Sequence, residues 1–190
     1  MSEDRRVQRT RELLRTAMME LVGERGYDSV TVQDITERAN VGRTTFYLHF
    51  RSKADLFLSS HMLPLRPFQY GPFSKEELLA NDPPLVLTLV FRYTIEYRSM
   101  FREVNLSPDG NSILRAIKEV AAQTWEESLR AAFDEKLSTV PFRVLAAYLA
   151  GAQFTLMMWW MDNTATYPPD EMARTCHRLQ RAAIKEALGL

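Results

Sequence analysis

Between positions 43 and 53 the chain reads Arg-Thr-Thr-Phe-Tyr-Leu-His-Phe-Arg-Ser-Lys, a stretch with cations and no acid. Arg43, Thr44, Thr45, Tyr47, His49 and Lys53 carry donors of the kind that meet phosphate oxygens and base edges. Leu48 offers an apolar surface that suits a thymine methyl group. Phe46 and Phe50 stand four apart, so on a helix they share one face. Anchoring that face inward turns Arg43, Thr44, Tyr47 and Leu48 outward, an odd outer surface for a helix that is merely solvated. The chemistry on offer is non-covalent recognition of a polyanion.

Catalytic chemistry finds little material. His49, His61 and His177 form no H-x-x-x-H or similar metal-binding spacing. Cys176 and His177 are neighbours, and neighbours on a helix point about 100° apart, a poor nucleophile–base pair. The glycines are scattered and build no phosphate loop, while Glu126-Glu127 and Asp134-Glu135 look like solvated helix faces. Cys176 is the single cysteine, which excludes an internal disulfide framework and a cysteine cage for zinc or iron–sulfur. Neither enzymatic activity nor a cofactor is expected.

The elements that would hold these residues read as helix after helix. From Val7 to Val22, Leu13, Leu14, Ala17, Met18, Leu21 and Val22 recur at three- and four-residue steps, and Gly26 offers a left-handed stop. Thr31-Val32-Gln33-Asp34 has the spacing of a capping box for a short helix with Ile35 and Ala39 on its inner side. Asn40-Val41-Gly42 breaks that helix, since Asn tolerates the left-handed region and Gly imposes no steric limit. A third helix over Arg43–Phe50 then packs Phe46 and Phe50 on Ile35 and Ala39, with Val41 filling the turn. The two short helices form a helix-turn-helix in the required proportions. A fourth helix is expected from Lys53 to about Leu63, then long ones over Leu85–Val104, Asn111–Phe133 and Pro141–Asp162. Pro168-Pro169-Asp170-Glu171 opens the last. No period-two alternation supports a sheet, so the fold class is all-α.

The 190 residues carry 24 Lys+Arg and 24 Asp+Glu, a formal net charge of zero. That neutrality first argues against a nucleic-acid binder, which is usually basic. The charge is nonetheless organised locally. Residues 5–15 hold five arginines against Glu12, and residues 43–53 hold Arg43, Arg51 and Lys53 against no acid. The N-terminus, arginine-rich and without an apolar run, is no secretory signal, so a cytoplasmic location is expected.

From Thr31-Val32-Gln33-Asp34-Ile35 through Val41-Gly42-Arg43-Thr44-Thr45-Phe46-Tyr47-Leu48-His49-Phe50 to Lys53, the chain resembles the DNA-binding signature of TetR-family bacterial transcriptional regulators. The resemblance is specific over about residues 9 to 58 and extends only to helical layout beyond. It implies a DNA-binding domain over 1–52 and an effector-binding and dimerisation domain over 53–190. The Arg43–Phe50 helix would enter the major groove of a palindromic operator. Gln33, Arg43, Thr44 and Leu48 fall where the family reads bases; Thr31, Thr45, Tyr47, His49 and Lys53 fall where it holds phosphates. Asn40 stands where Gly is usual, and Gly42 where a Ser cap is frequent. The implied protein is a homodimer, a repressor released from double-stranded DNA by a small molecule. The alternative is a helical adaptor that has lost DNA binding and acts through protein contacts.

The C-terminal two-thirds support the dimer more firmly than the ligand. The eighteen residues between Arg143 and Asp162 carry no charge, which raises a membrane-spanning helix as a rival. Gln153, Thr155 and Tyr148 within the run, its Ala- and Met-rich composition and the lack of a second such segment favour a buried helix. Ala146/Ala150 and Ala147/Gly151 would allow close approach of a second subunit. The last helix adds a stripe of Met172, Cys176, Leu179 and Ala183. Met157-Met158-Trp159-Trp160-Met161 resembles the Trp-rich end of the penultimate helix in one TetR subgroup. Candidate effector contacts are Tyr93, Tyr97, Phe101, Trp125, Phe154 and Met158, with His61 and Arg98 as polar groups, although large residues at helical spacing also simply build cores.

Overall fold

The computed structural model describes residues 5–61, 72–108, 110–163 and 167–190. Among them every regular element is helical, and no strand occurs. Two compact units are formed.

The first unit contains α1 (Arg5–Arg25), α2 (Val32–Arg38), α3 (Arg43–His49) and α4 (Lys53–His61), together with residues 99–114. The apolar stripe of α1 buries Leu14, Ala17, Met18, Leu21 and Val22, and α1 packs along α4 and α2. Each large aliphatic or aromatic side chain so enclosed contributes about 1.5–3 kcal/mol of transfer free energy. Gly26 ends α1 at φ 79°. Thr31 and Asp34 complete the capping box: the Thr31 N–H donates to Asp34 Oδ2 at 2.8 Å, and the Asp34 N–H donates to Thr31 Oγ1 at 3.2 Å. Asn40 lies at φ 51°, in the left-handed region expected of it. The turn delivers Phe46 and Phe50 onto Ile35 and Ala39 as buried residues, the Phe rings 6.0 Å apart.

The second unit holds α5 (Lys75–Leu79), α6 (Leu85–Glu96), most of α8 (Gly110–Ala132), α9 (Phe142–Asp162) and α10 (Pro169–Leu188). One core cluster joins Leu78, Trp125, Leu129, Phe142, Leu145, Leu149 and Ile184; another joins Leu87, Phe91, Trp160, Met172, Ala173 and Cys176. α10 packs chiefly on α6, starts with Asp170 and Glu171 in its first turn, and ends at Gly189 with φ 66°. Arg92 grips Asp170 with both ends of its guanidinium, at 2.8 and 2.7 Å. His177 and Arg181 reach the Ala80 carbonyl, at 3.0 and 2.7 Å, and so tie the end of α5 to α10.

Two elements differ from expectation. The helix expected over Leu85–Val104 is interrupted at Tyr97 (φ −105°, ψ 24°), giving α6 and α7 (Arg98–Leu106). No Pro or Gly marks the break; it falls where the chain leaves one compact unit for the other. The short α5 was not anticipated, although Ser74 and Glu77 form a second complete capping box. The end of the fourth helix expected at Leu63 lies outside the described residues, as does the His61 side chain.

Candidate nucleic-acid interface

α3 is short, and one residue fixes its roll. Phe46 is 0% exposed, whereas Tyr47 is 50% and Leu48 77% exposed. Arg43 and Thr44 are exposed beside them, and Thr45 and His49 are half-buried at the flanks. The Arg43 guanidinium carbon lies 5.9 Å from the centre of the Tyr47 ring, and that ring stands edge-on to Phe46 at 5.2 Å. The outer surface of α3 is thus a set of donors around an exposed leucine. Gly42 begins the helix without a side-chain cap; its carbonyl accepts from the Phe46 N–H at 3.0 Å.

The supports come from neighbouring helices. Lys53 opens α4 with its ammonium donating to the Tyr27 carbonyl at 3.0 Å and lying 4.0 Å from the centre of the Tyr27 ring. Tyr27 in turn packs edge-on against Phe57 at 5.0 Å. Thr31 spends its hydroxyl on the capping box, donating to Asp34 Oδ2 at 2.6 Å. That hydrogen bond, followed by one from Arg25, pulls the Asp34 carboxyl down to about 2. The Arg38 guanidinium clamps Glu24 at 2.8 Å and Glu20 at 3.2 Å, and its hydrogen bond holds Glu24 below the usual carboxylate range. Gln33, exposed on α2, donates its amide to Glu37 at 2.9 Å.

The two contacts Lys53–Tyr27 and Arg15–Ser59 (3.3 Å) fix α1 and α4 as antiparallel. The arginine-rich start of α1 therefore lies away from the Lys53 corner. Arg9 and Arg25 are separated by about 24 Å along the helix at 1.5 Å per residue.

Residues 13–59 match the family model described as bacterial regulatory proteins, tetR family. Residues 81–182 match a second, described as a transcriptional regulator C-terminal region; together the two span most of the chain. This chain belongs to the TetR family. YxbF of Bacillus subtilis, an HTH-type transcriptional regulator of uncharacterised role, is 44% identical to this chain over 54 residues. That alignment covers 28% of this chain and only 14% of YxbF, so it speaks for a short part of either protein. Among solved structures, a TetR-family regulator from Syntrophomonas wolfei aligns with a TM-score of 0.61 at 15% identity, over 93% of this chain and 95% of that one. The regulator FadR of Bacillus subtilis, solved in complex with stearoyl-CoA, aligns at 0.51 and 18%, over 90% and 98%. These likenesses concern the fold.

Within the TetR C-terminal region, the expected effector residues occupy unlike settings. Tyr93 is buried with its ring 4.4 Å from that of Tyr97, and burial raises its phenol above the ordinary range. Trp125 belongs to a core cluster, packed 5.4 Å from Phe73. Phe154 and Met158 are half-buried on α9, with the Lys118 ammonium 4.8 Å over the Phe154 ring. Arg98 and Phe101 are half-buried on α7, and the His61 side chain lies outside the described ones.

The residues expected at a subunit contact also separate. Met172 and Cys176 are enclosed by their own chain, where burial pushes the Cys176 thiol up to about 12. They are core, because α6 covers that side of α10. Ala147 and Leu179 are exposed, the latter 58%, and Gly151 and Ala183 are half-buried. Val144, Tyr148 and Trp159 extend the exposed uncharged face of α9, a face the sequence stripe missed. α9 is long and apolar enough to cross a membrane by length and composition, yet a third (33%) of its most apolar window is buried in the chain's own fold. Among the described residues, no group of three His, Cys, Asp or Glu could hold a metal ion.

Proposed function

We propose that this TetR-family regulator is a homodimeric repressor whose two α3 helices read a palindromic operator and whose release is triggered by a small molecule. The observation that carries the reading is the roll of α3: Phe46 locked inward leaves Arg43, Thr44, Tyr47 and Leu48 on one outer surface, while Lys53 is seated on Tyr27 at the start of α4. In this reading Gln33, Arg43, Thr44 and Leu48 meet base edges. Thr31, Thr45, Tyr47, His49 and Lys53 meet phosphates, Thr31 by re-aiming the hydroxyl that now serves its cap. The uncharged face of Val144, Ala147, Tyr148, Gly151 and Trp159, with Leu179 and Ala183, supports a two-fold contact between subunits. Half-sites then lie about 34–36 Å apart or at a multiple of that spacing. The effector binds in the C-terminal region, with Tyr93 and Tyr97 the most closely associated of its candidate contacts.

The decisive measurement is binding to duplex DNA against salt. A dimer that neutralises about six to ten phosphates weakens about 10³–10⁵-fold between 50 and 200 mM salt. Affinity independent of salt sinks the reading and leaves the adaptor.

A further inference from the structure

One side chain on the proposed reading surface is held by an acid. Gln33 sits in the first turn of α2, exposed, and Glu37 stands one turn further on, also exposed. Gln33 Nε2 donates to Glu37 Oε1 at 2.9 Å. A carboxylate only accepts, so the nitrogen end of the amide is the end that must face it. That bond takes one of the two amide hydrogens and leaves the Gln33 carbonyl oxygen and the second Glu37 oxygen as acceptors without a hydrogen bond of their own here. Three other acids, two on α1 and one on α2, are matched with arginine: Glu20 and Glu24 with Arg38, and Asp34 with Arg25. Glu37 has no arginine partner among the described residues. Its charge is not spent on fold stability.

We propose that Glu37 is a specificity-determining residue that fixes which way the Gln33 amide faces, occupies one of its two N–H donors and adds a carboxylate acceptor beside it, so that acceptors predominate at the α2 contact. The α2 contact then selects a base bearing an exocyclic amine in the major groove. Adenine presents its N6 amine there and cytosine its N4 amine, whereas guanine and thymine present only acceptors at the corresponding positions. Every base pair has one such amine, so the acceptor pair chooses which strand carries it: A or C over G or T at one position in each half-site. α3 reads with the opposite polarity, through Arg43, a donor suited to guanine O6 and N7. The carboxylate also repels phosphates, so a mismatched site is rejected instead of being tolerated through backbone attraction. This inference rests on α2 and α3 facing DNA.

The test is selection of sites from random duplexes by the full-length protein, comparing wild type with Glu37→Ala and Glu37→Gln. The wild type is expected to favour A or C about five- to tenfold at one position per half-site, within the range of a good base contact. Both variants flatten that position, keep the preference set by Arg43, and bind random DNA more tightly. Glu37→Gln keeps the size but lets the paired amides turn either way. Unchanged preference in both variants, or a wild-type position that favours G or T, overturns the role of Glu37 while leaving DNA reading intact. Failure of the wild type to enrich any sequence overturns the reading head itself, and this inference with it. Glu37 is exposed and caps nothing, so both variants should melt like the wild type.

Discussion

Gly110 is the residue at which a single methyl group does most harm. It opens α8 beside the end of α7, and a Cβ there would overlap the Val104 carbonyl oxygen while standing 2.9 Å from the carbonyl oxygen of Asn105. These are backbone atoms, so no rotamer change relieves the overlap. The Val104 oxygen is moreover engaged: it accepts from the Ser107 hydroxyl at 2.7 Å and from the Ser107 N–H at 3.1 Å, and the Gly110 N–H donates to Ser107 at 2.9 Å. Gly110→Ala must open this corner. Overpacking costs about 1–3 kcal/mol, and weakening the buried Ser107 bond adds about 1 kcal/mol. Better helix propensity returns at most about 1 kcal/mol. The net loss is about 1–3 kcal/mol, which at a urea slope of about 2–3 kcal/mol/M lowers the unfolding midpoint by about 0.3–1.5 M. Urea unfolding followed by far-UV circular dichroism measures it. Gly23→Ala is the control: a Cβ at Gly23 meets nothing within 4 Å, so the same substitution on α1 should stabilise. An unchanged or raised midpoint for Gly110→Ala refutes the reasoning.

Three further perturbations probe other links. Gln180 is 4% exposed, donates to Gln153 at 2.9 Å, and has no partner for its carbonyl oxygen; an orphaned buried acceptor costs about 1–3 kcal/mol against about 1 kcal/mol for the amide bond. Gln180→Met should therefore stabilise by about 1 kcal/mol in denaturant titration, and a loss of stability would mean that the oxygen is satisfied after all. Asp34, depressed to about 2, lends stability that is complete above the unfolded value near 4 and is lost as pH falls from there through 2. Wild type should lose its advantage over Asp34→Asn across that window, and parallel acid melting curves would contradict the assignment. Gly151 has open space around its Cβ, so Gly151→Trp should leave a folded subunit that sediments as a monomer; an undiminished dimer mass would move the subunit contact elsewhere.

What the sequence made legible was whatever depends on contacts close along the chain. The capping box at Thr31, the left-handed Asn40 and the shared face of Phe46 and Phe50 are set by spacings of three to four residues, and each was found where the spacing put it. α5 obeyed the same rule through Ser74 and Glu77 but is only five residues long, too short to show a period. The break at Tyr97 was of another kind. Nothing in Leu85–Val104 disfavours helix; the chain turns because α6 packs on α10 while α7 belongs to the other unit. For the same reason the stripe of α10 was misdivided. Met172 and Cys176 share their periodicity with Leu179 and Ala183, and only the position of α6 decides that the first pair is core. Residues that position functional groups were equally hidden, since Tyr27 under Lys53 is a contact across 26 positions.

The zero net charge takes on a physical meaning once the pairs are placed. A sum over the sequence counts Glu20, Glu24 and Asp34 against the cations of the reading head, but these acids are matched to Arg38 and Arg25, which hold α2 against α1. Three acids against two arginines leave one negative charge, so these pairs largely but not wholly cancel in the field felt by DNA. Of the five arginines of residues 5–15, Arg15 lies over the Phe50 ring at the end of α3, 5.9 Å from its centre, whereas antiparallel packing of α1 and α4 carries those nearer the start of α1 away from Lys53. What remains is Arg43 on α3 with Glu37 on α2 opposing; Arg51, whose guanidinium lies 3.8 Å from Asp55, and Lys53 follow α3 along the chain. So small a net charge releases few counterions per subunit, and non-specific affinity scales with that number. A regulator built this way gains little from any single half-site. Two reading heads held at a fixed spacing multiply modest contacts through effective concentration. In the proposed dimer the uncharged face of α9 would be as much a part of DNA recognition as α3, because it would set whether two weak readings become one specific one.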